Sequence, residues 1–179
     1  DYCEYEPIYI VDSLSATIGT QLLLREAIRL RDAGQSARQI AAQLDQLKSR
    51  IVVLAAVDTL EFLVKGGRLS KAAGFAGSLL GIHPMITLEE GKLSVLGKAR
   101  GKKATLQLFW QQMEKLGMPD PQVEPIFGYT GNREAVSDLI AFLEEKAIVS
   151  SQVCGVGSVI GTHTGPGVSA IAYLRQADC

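Results

Sequence analysis

The segment with the most distinctive chemistry runs from residue 155 to residue 167 and reads GVGSVIGTHTGPG. It carries five glycines and a single histidine, His163, which stands between Thr162 and Thr164. From residue 147 to residue 174 the sequence contains no Asp, Glu, Lys or Arg. An imidazole beside two hydroxyls, on a glycine-rich turn in an apolar stretch, is suited to holding a polar head group such as a carboxylate. A structural histidine in a tight turn explains the same pattern equally well.

Known glycine-rich motifs and nucleophile motifs do not fit this segment. Its glycine spacing differs from the dinucleotide fingerprint GxGxxG, and no Gly-Lys-Ser/Thr is present as in a P-loop. Ser158 does not lie in the GxSxG motif of many hydrolases. A small hydrolase or phosphate-handling enzyme that uses His163 with a Thr or Ser is therefore an alternative that has no triad nearby in sequence.

Two clusters of basic residues adjoin predicted helix ends. They comprise Lys65, Arg68 and Lys71 around a Gly-Gly pair, and Lys98, Arg100, Lys102 and Lys103 before a predicted helix. Because basic residues at a helix start oppose the helix dipole, local stability does not explain the second cluster. Arg100, Lys102 and Arg68 are candidates for docking an acidic partner, and a partner-docking domain is a further interpretation. A solvated surface or a helix end explains the same charges.

A long uncharged stretch separates the two basic clusters. Residues 72–88 contain no Asp, Glu, Lys or Arg over 17 positions, and small residues alternate with large apolar ones. Small residues allow another chain or a slender apolar ligand to approach closely. Phe75, Leu79 and Ile82 are the candidates for contact with such a ligand, although an ordinary buried helix and strand would look the same.

The elements that must position these residues alternate between helix and strand, which predicts an α/β fold. Ser36 with Gln39, and Asp58 with Glu61, form capping boxes at two helix starts. The predicted strands are 8–12, 51–57, 84–88, 92–96, 123–129, 158–162 and 168–174. The predicted helices are 15–33, 36–48, 58–66, 70–81, 102–116 and 132–146.

Composition excludes several classes of protein. The chain has 179 residues, 47% of them apolar, and a net charge of −1, whereas proteins held to nucleic acid by charge are usually strongly basic. The longest strongly apolar run, residues 51–57, is too short to span a bilayer, and the first residues do not resemble a signal peptide. Three widely spaced cysteines favour a reducing, cytoplasmic location. Two histidines that are 80 positions apart predict no metal site.

Four stretches of the sequence together resemble the DegV family of bacterial fatty-acid-binding proteins. They read VDSLSATIG, DTLEFLVKGGRLSKAAGFAGSLLGIHPMITLEEGKL, KARGKKA and VGSVIGTHTGPGVSAIAY, and they extend over nearly the whole chain. The resemblance implies a two-domain α/β protein. Residues 1–57 are then the remnant of a parallel N-terminal α/β domain, and residues 58–179 form a C-terminal DegV-type domain with a mixed or antiparallel sheet and packed helices.

The resemblance also implies a function. DegV proteins clasp one long-chain fatty acid, such as palmitate or oleate, in a tunnel between the domains and catalyse no reaction. Some present the carboxylate to a fatty acid kinase subunit for phosphorylation. Of the family's head-group residues, only His163, with Thr162 and Thr164 beside it, is carried over. The opening strand and a Ser-Gly-Thr segment of the family are not present, so we expect this chain alone to bind lipid weakly.

Overall fold

The computed structural model describes residues 8–70 and 81–177. Within these ranges the helices are α1 (Ile18–Asp32), α2 (Ala37–Leu47), α3 (Glu61–Lys65), α4 (Lys102–Leu116), α5 (Glu134–Glu144) and α6 (Ser158–Thr164). The strands are β1 (Ile51–Ala56), β2 (Ile82–Glu89), β3 (Lys92–Arg100), β4 (Ile126–Tyr129), β5 (Val153–Gly155) and β6 (Ser169–Leu174). A short 3₁₀ turn, Lys48–Arg50, leads from α2 into β1.

The six described strands form one mixed sheet in the order β3-β2-β1-β6-β4-β5. All neighbouring pairs are antiparallel except β4 and β5, which are parallel. The predicted α/β class with a mixed sheet is therefore confirmed. β1, which the sequence assigned to the first unit, is hydrogen-bonded on both sides to strands of the second unit. The division of the chain at residue 57 stays a prediction about domain boundaries.

Helices cover both faces of the sheet, and the central strand β1 serves both cores. Side chains alternate along a strand, so Val53 and Ala55 face α1 while Leu54 faces α4 and α5. The α1 side buries Ile18 and Leu22 against β1, β4 and β6. The opposite side buries large side chains of α4, α5 and β6: Phe109, Met113, Leu139, Leu143 and Tyr173. A strand buried on both faces requires an uninterrupted apolar sequence, which is what β1 has.

Two short-range sequence signals, the capping box at Ser36 and the turn between β2 and β3, are realised where predicted. The Ser36 side chain accepts a hydrogen bond from Gln39 N, and the Gln39 side chain accepts one from Ser36 N, which is a complete capping box. Glu90 and Gly91 join β2 to β3 with φ values of 50° and 75°. Two consecutive positive φ angles are those of a type I′ hairpin turn, whose twist matches that of the strands.

Three predicted elements are wrong. Residues 8–12 form no strand: Ile10 is 90% exposed, and no described strand pairs with this segment. Residues 158–162 belong to the helix α6 rather than to a strand. The capping box at Asp58 is replaced by Thr59, whose Oγ1 accepts a hydrogen bond from Glu61 N at 3.1 Å.

Other boundaries differ by a few residues. β4 begins at Ile126 rather than at residue 123, and β5 was not predicted. Asn132 stands two residues before α5, and its Oδ1 accepts a hydrogen bond from Glu134 N at 3.2 Å. The predicted helix at 70–81 lies almost wholly outside the described residues.

Candidate ligand-binding cavity

A cavity of about 990 Å³ lies on the α1 side of the sheet. α1 packs on β1, β4 and β6, and the cavity extends over the neighbouring strands β2 and β3. Its far wall is formed by α3, residues 67–70 and α6. The strands supply a largely apolar floor, made by Val53, Ala55, Ile86, Leu88, Leu93 and Val95.

α6 contributes one complete helix face to this cavity. Val159, Ile160, His163 and Thr164 line it, spaced at i, i+1, i+4 and i+5, and Val156, just before the helix, also lines the cavity. That spacing is the period of a helix that faces one apolar surface. The helix ends at Gly165, whose φ of 77° requires the conformational freedom of glycine. The glycine-rich segment thus positions His163 at the cavity by a helix and not by a turn alone.

His163 lies at the α3 end of the cavity with one ring nitrogen shielded from solvent. Its Nδ1 is buried and has no hydrogen-bond partner among the described residues. The ring lies against Gly66, at the end of α3. In a Ser-His-Asp triad a carboxylate orients the histidine through Nδ1. The surroundings of His163 therefore do not match those of a triad histidine.

The two threonines beside His163 differ in their placement. Thr164 is buried and lines the cavity, and its hydroxyl donates to Ile160 O at 3.2 Å. Thr162 is exposed and is not in the cavity wall, and its hydroxyl donates to Ser158 O at 2.8 Å. The structure thus brings His163 and Thr164 together at the cavity and points Thr162 elsewhere.

Thr130, which the sequence analysis did not identify, also lies at this end. Its hydroxyl donates to Gly165 O at 2.7 Å and accepts from Val168 N at 3.0 Å. These two hydrogen bonds join β4 to the segment that follows α6. No pattern in the sequence indicates this contact, because Thr130 and Gly165 are 35 positions apart.

The charged side chains that line the cavity are of one sign. Arg68 and Lys92 are in its wall together with His163, and no Asp or Glu is among its described lining residues. Arg68 donates from Nη1 to Gly66 O at 2.7 Å. A cavity with cationic and without anionic side chains favours an anionic ligand.

Of the three acyl-contact candidates, Ile82 alone lies within the described residues. Ile82 begins β2 opposite Arg100, is half-buried and does not line the cavity. Phe75 and Leu79 lie outside the described residues. The apolar side chains that do line the floor include Ile86 and Leu93, which the alternating pattern of the predicted hairpin could have identified.

The docking candidates are separated by the sheet. Arg68 lines the large cavity, whereas Lys102 lines a second cavity of about 340 Å³ on the α4 face. Lys102 Nζ pairs with Asp138 Oδ2 at 2.5 Å, which links the start of α4 to α5. Arg100 is exposed at the end of β3. A single surface that includes all three residues is therefore not what the fold presents.

The part of the chain that the structure describes offers neither a metal cluster nor a membrane-spanning helix. Residues 8–70 and 81–177 contain no cluster of three His, Cys, Asp or Glu side chains that could hold a metal ion. Within the same ranges, none of the helices has both the length and the apolar character needed to cross a bilayer.

Comparison with known proteins identifies the family. The model described as "Uncharacterised protein, DegV family" matches residues 2–176. A DegV domain-containing protein of Clostridium perfringens is 34% identical over 170 residues, which cover 93% of this chain and 58% of that protein. A protein of Thermotoga maritima named "Fatty acid-binding protein" is 30% identical over 164 residues, covering 90% of this chain and 57% of that protein.

Solved structures have the same fold. A Thermus thermophilus DegV protein, described as fatty-acid-binding, matches with a TM-score of 0.79 and 32% identity over 92% of this chain and 60% of that one. The fatty acid kinase B3 protein of Streptococcus pneumoniae, loaded with linoleic acid, matches with a TM-score of 0.83 and 24% identity over 95% and 60%. The chain thus spans about 60% of the length of the relatives it matches. With a family model that matches almost its whole length, this chain belongs to the DegV family.

Proposed function

We propose that this chain is the part of a longer DegV protein that cradles one long-chain fatty acid in the large cavity, with the carboxylate toward His163. The observation that carries the proposal is the lining of that cavity. Its floor is apolar. Arg68 and Lys92, the charged side chains among its described lining residues, are both cationic. A fatty acid combines an apolar chain with one negative charge, so both features of the cavity have a counterpart in the ligand.

The two ends of the ligand have different tasks in this proposal. Each methylene removed from water contributes about 0.8 kcal/mol, so the acyl chain supplies most of the affinity. The strands β2 and β3, through Ile86, Leu88 and Leu93, are the surface for that chain. The carboxylate contributes orientation by hydrogen bonding to His163, with Thr164 beside it at the cavity wall.

The names of relatives support this choice of ligand. Besides the Thermus and Thermotoga proteins, a structure from Eubacterium eligens holds heptadecanoic acid and one from Eubacterium ventriosum holds stearic acid. Chains of 16 to 18 carbons such as palmitate and oleate are the first ligands to test here.

The proposed role is that of a carrier and not of an enzyme. In the part of the chain that the structure describes, no carboxylate is bonded to His163 Nδ1 to prepare it as a general base. A carrier in the cytoplasm would present its lipid to a fatty acid kinase subunit, and the fatty acid kinase B3 protein of Streptococcus pneumoniae supports such a partner. Arg68, Arg100 and Lys102 are the docking candidates, and all three are exposed, Lys102 while paired with Asp138.

Extraction followed by mass spectrometry tests the proposal. The longer protein that contains this chain is purified, denatured in organic solvent and examined for lipid, and we expect one fatty acid per protein chain. Recovery of the protein without lipid, together with no heat of binding on titration with palmitate or oleate, would contradict it. Turnover of an ester or a phosphate that is lost in His163→Ala would favour the hydrolase alternative.

Titration of the isolated 179-residue chain with palmitate or oleate tests whether this chain binds lipid by itself. The resemblance carries over only part of the family's head-group residues, so we expect weak or undetectable binding by this chain alone. Binding at micromolar or lower concentration by the isolated chain would refute that expectation while leaving the proposed ligand intact.

A further inference from the structure

Two short helices on the wall of the large cavity interlock through glycines. The His163 ring of α6 lies on Gly66 at the end of α3, and a β-carbon on Gly66 would overlap Nδ1 and lie 2.9 Å from Cε1. The Phe62 ring of α3 lies on Gly165 at the end of α6, where a β-carbon would lie 2.5 Å from Cδ2. Each helix therefore places one ring in the space that a side chain of the other segment would fill.

We infer that Gly66 is a positioning residue for His163: the space left by its absent side chain holds the Nδ1 edge of the imidazole and leaves Nε2 as the nitrogen that can reach a ligand. This inference deepens the proposed function, on which the use of Nε2 by a carboxylate rests. The contact itself is a property of the protein without ligand.

Backbone geometry distinguishes Gly66 from the other glycines of the two segments. Gly67 and Gly165 have φ values of 72° and 77°, which disfavour any other residue whatever the space around them. Gly66 has a φ of −77° and a ψ of −1°, a conformation open to all residues. The tightest contact that a β-carbon at position 66 would meet is therefore the ring of His163, followed by Phe62 O at 3.1 Å.

The contact also selects one neutral tautomer of His163. Nδ1 is buried without a hydrogen-bond partner among the described residues. A proton on Nδ1 would be a buried donor without an acceptor, next to the α-carbon of Gly66, and such donors are costly. The neutral ring therefore carries its proton on Nε2, which makes Nε2 a donor that a carboxylate can accept from.

A double-mutant cycle measures the contact without any ligand. In the 179-residue chain, Gly66→Ala should lower the folding equilibrium constant about fivefold or more, which corresponds to the lower end of typical overpacking costs. In a His163→Ala background the same substitution should be neutral or stabilising, because alanine at an unstrained position restricts the unfolded chain. Equal effects of Gly66→Ala in the two backgrounds would overturn the inference.

The double-mutant cycle tests the inference even if one of the variants does not fold. If Gly66→Ala alone does not fold, recovery of folding in Gly66→Ala/His163→Ala supports the inference, and failure of both contradicts it. Gly161→Ala is the matched control, because Gly161 is in α6 two residues before His163 and a β-carbon there meets no atom within 4 Å. It should be neutral or stabilising in both backgrounds.

Imidazole ¹⁵N NMR provides a readout that stability alone does not. The two-bond correlations of the neutral His163 ring should show the Nε2–H tautomer, and Gly66→Ala should shift them while the signals of His83 stay in place. A dominant Nδ1–H tautomer, or unchanged His163 signals in Gly66→Ala, would refute the positioning role. Neither result depends on fatty acid, so failure of lipid binding remains a separate outcome.

Discussion

The two histidines of this chain lie at cavities on opposite faces of one sheet, and their polar surroundings are opposite in kind. His83 Nδ1 lies 3.3 Å from Asp58 Oδ1, and in the same small cavity Lys102 is paired with Asp138. Within residues 8–70 and 81–177, His163 Nδ1 has no hydrogen-bond partner, and the large cavity is lined by cationic but no acidic side chains.

The difference indicates which cavity is built for a ligand. Charges that are paired within the protein are already compensated, so the small cavity gains little from an added ion. A cavity whose described lining includes Arg68 and Lys92 but no Asp or Glu gains from an anion that displaces water. Cavity volume alone would rank the two sites in the same order, but it is the balance of charge that identifies the chemistry of the ligand.

The largest expected effect is on stability, because the small cavity is lined by fully buried core side chains such as Phe109. Phe109 in its wall is fully buried, so Phe109→Ala should lower the free energy of unfolding by about 3–5 kcal/mol. Leu93 in the large cavity is half-exposed on an edge strand, so Leu93→Ala should cost less than about 2 kcal/mol. Urea unfolding measures the free energy of unfolding of both variants. Equal losses would contradict the prediction that the small cavity, unlike the large one, is bounded by core.

Blocking each cavity in turn should change lipid binding at one of them only. In the longer protein, Leu93→Trp would displace about two methylenes of the ligand, worth about 1.6 kcal/mol, and weaken fatty acid binding about 15-fold. Leu106→Trp introduces the same side chain beside the small cavity and should leave affinity unchanged. Titration calorimetry measures both affinities. A larger loss of affinity in Leu106→Trp than in Leu93→Trp would contradict the proposal that the lipid binds in the large cavity.

The histidines offer a matched pair of substitutions. His163→Ala removes a hydrogen bond to a charged group and should weaken fatty acid binding by the longer protein about tenfold or more. His83→Ala breaks the contact with Asp58 and should leave binding unchanged. If both variants bind as the parent does, His163 is a structural residue of the α3–α6 contact and not a head-group ligand.

The smallest expected effect on stability is at Arg100. Its exposed side chain makes Arg100→Ala neutral within about 0.5 kcal/mol, while transfer of phosphate to the bound acid by the kinase should slow. By comparison, Lys102→Ala breaks the ion pair with Asp138 and should lower the free energy of unfolding by up to about 1 kcal/mol. A melting temperature that falls in Arg100→Ala while kinase coupling stays normal would contradict a docking role.

Local signals in the sequence predicted the parts of the fold that depend on a few neighbouring residues. The capping box at Ser36 and the turn at Glu90-Gly91 need only residues within one turn of the chain, and both are confirmed. The segment at 8–12 has the composition of a strand, but a strand also needs a hydrogen-bonding partner, which its own residues do not specify.

The candidate site was predicted less completely, for two physical reasons. Val159 and Ile160 are β-branched and favour a strand, yet Val159, Ile160, His163 and Thr164 line the cavity at helical spacing, and the period outweighs the propensity. The contact of His163 with Gly66 joins residues almost a hundred positions apart, and no periodic pattern in the sequence records such a distance.

The place of β6 in the sheet has a consequence for the order in which this chain can fold during synthesis. Of the six described strands β6 is made last, yet it lies between β1 and β4, and its Ile171 pairs with Leu54. At ribosomal rates of about 5–20 residues per second, β1 must wait on the order of 10 s for this neighbour. During that interval the neighbour that β1 can pair with in this sheet is β2, so the nascent chain is exposed to aggregation until β6 has been made.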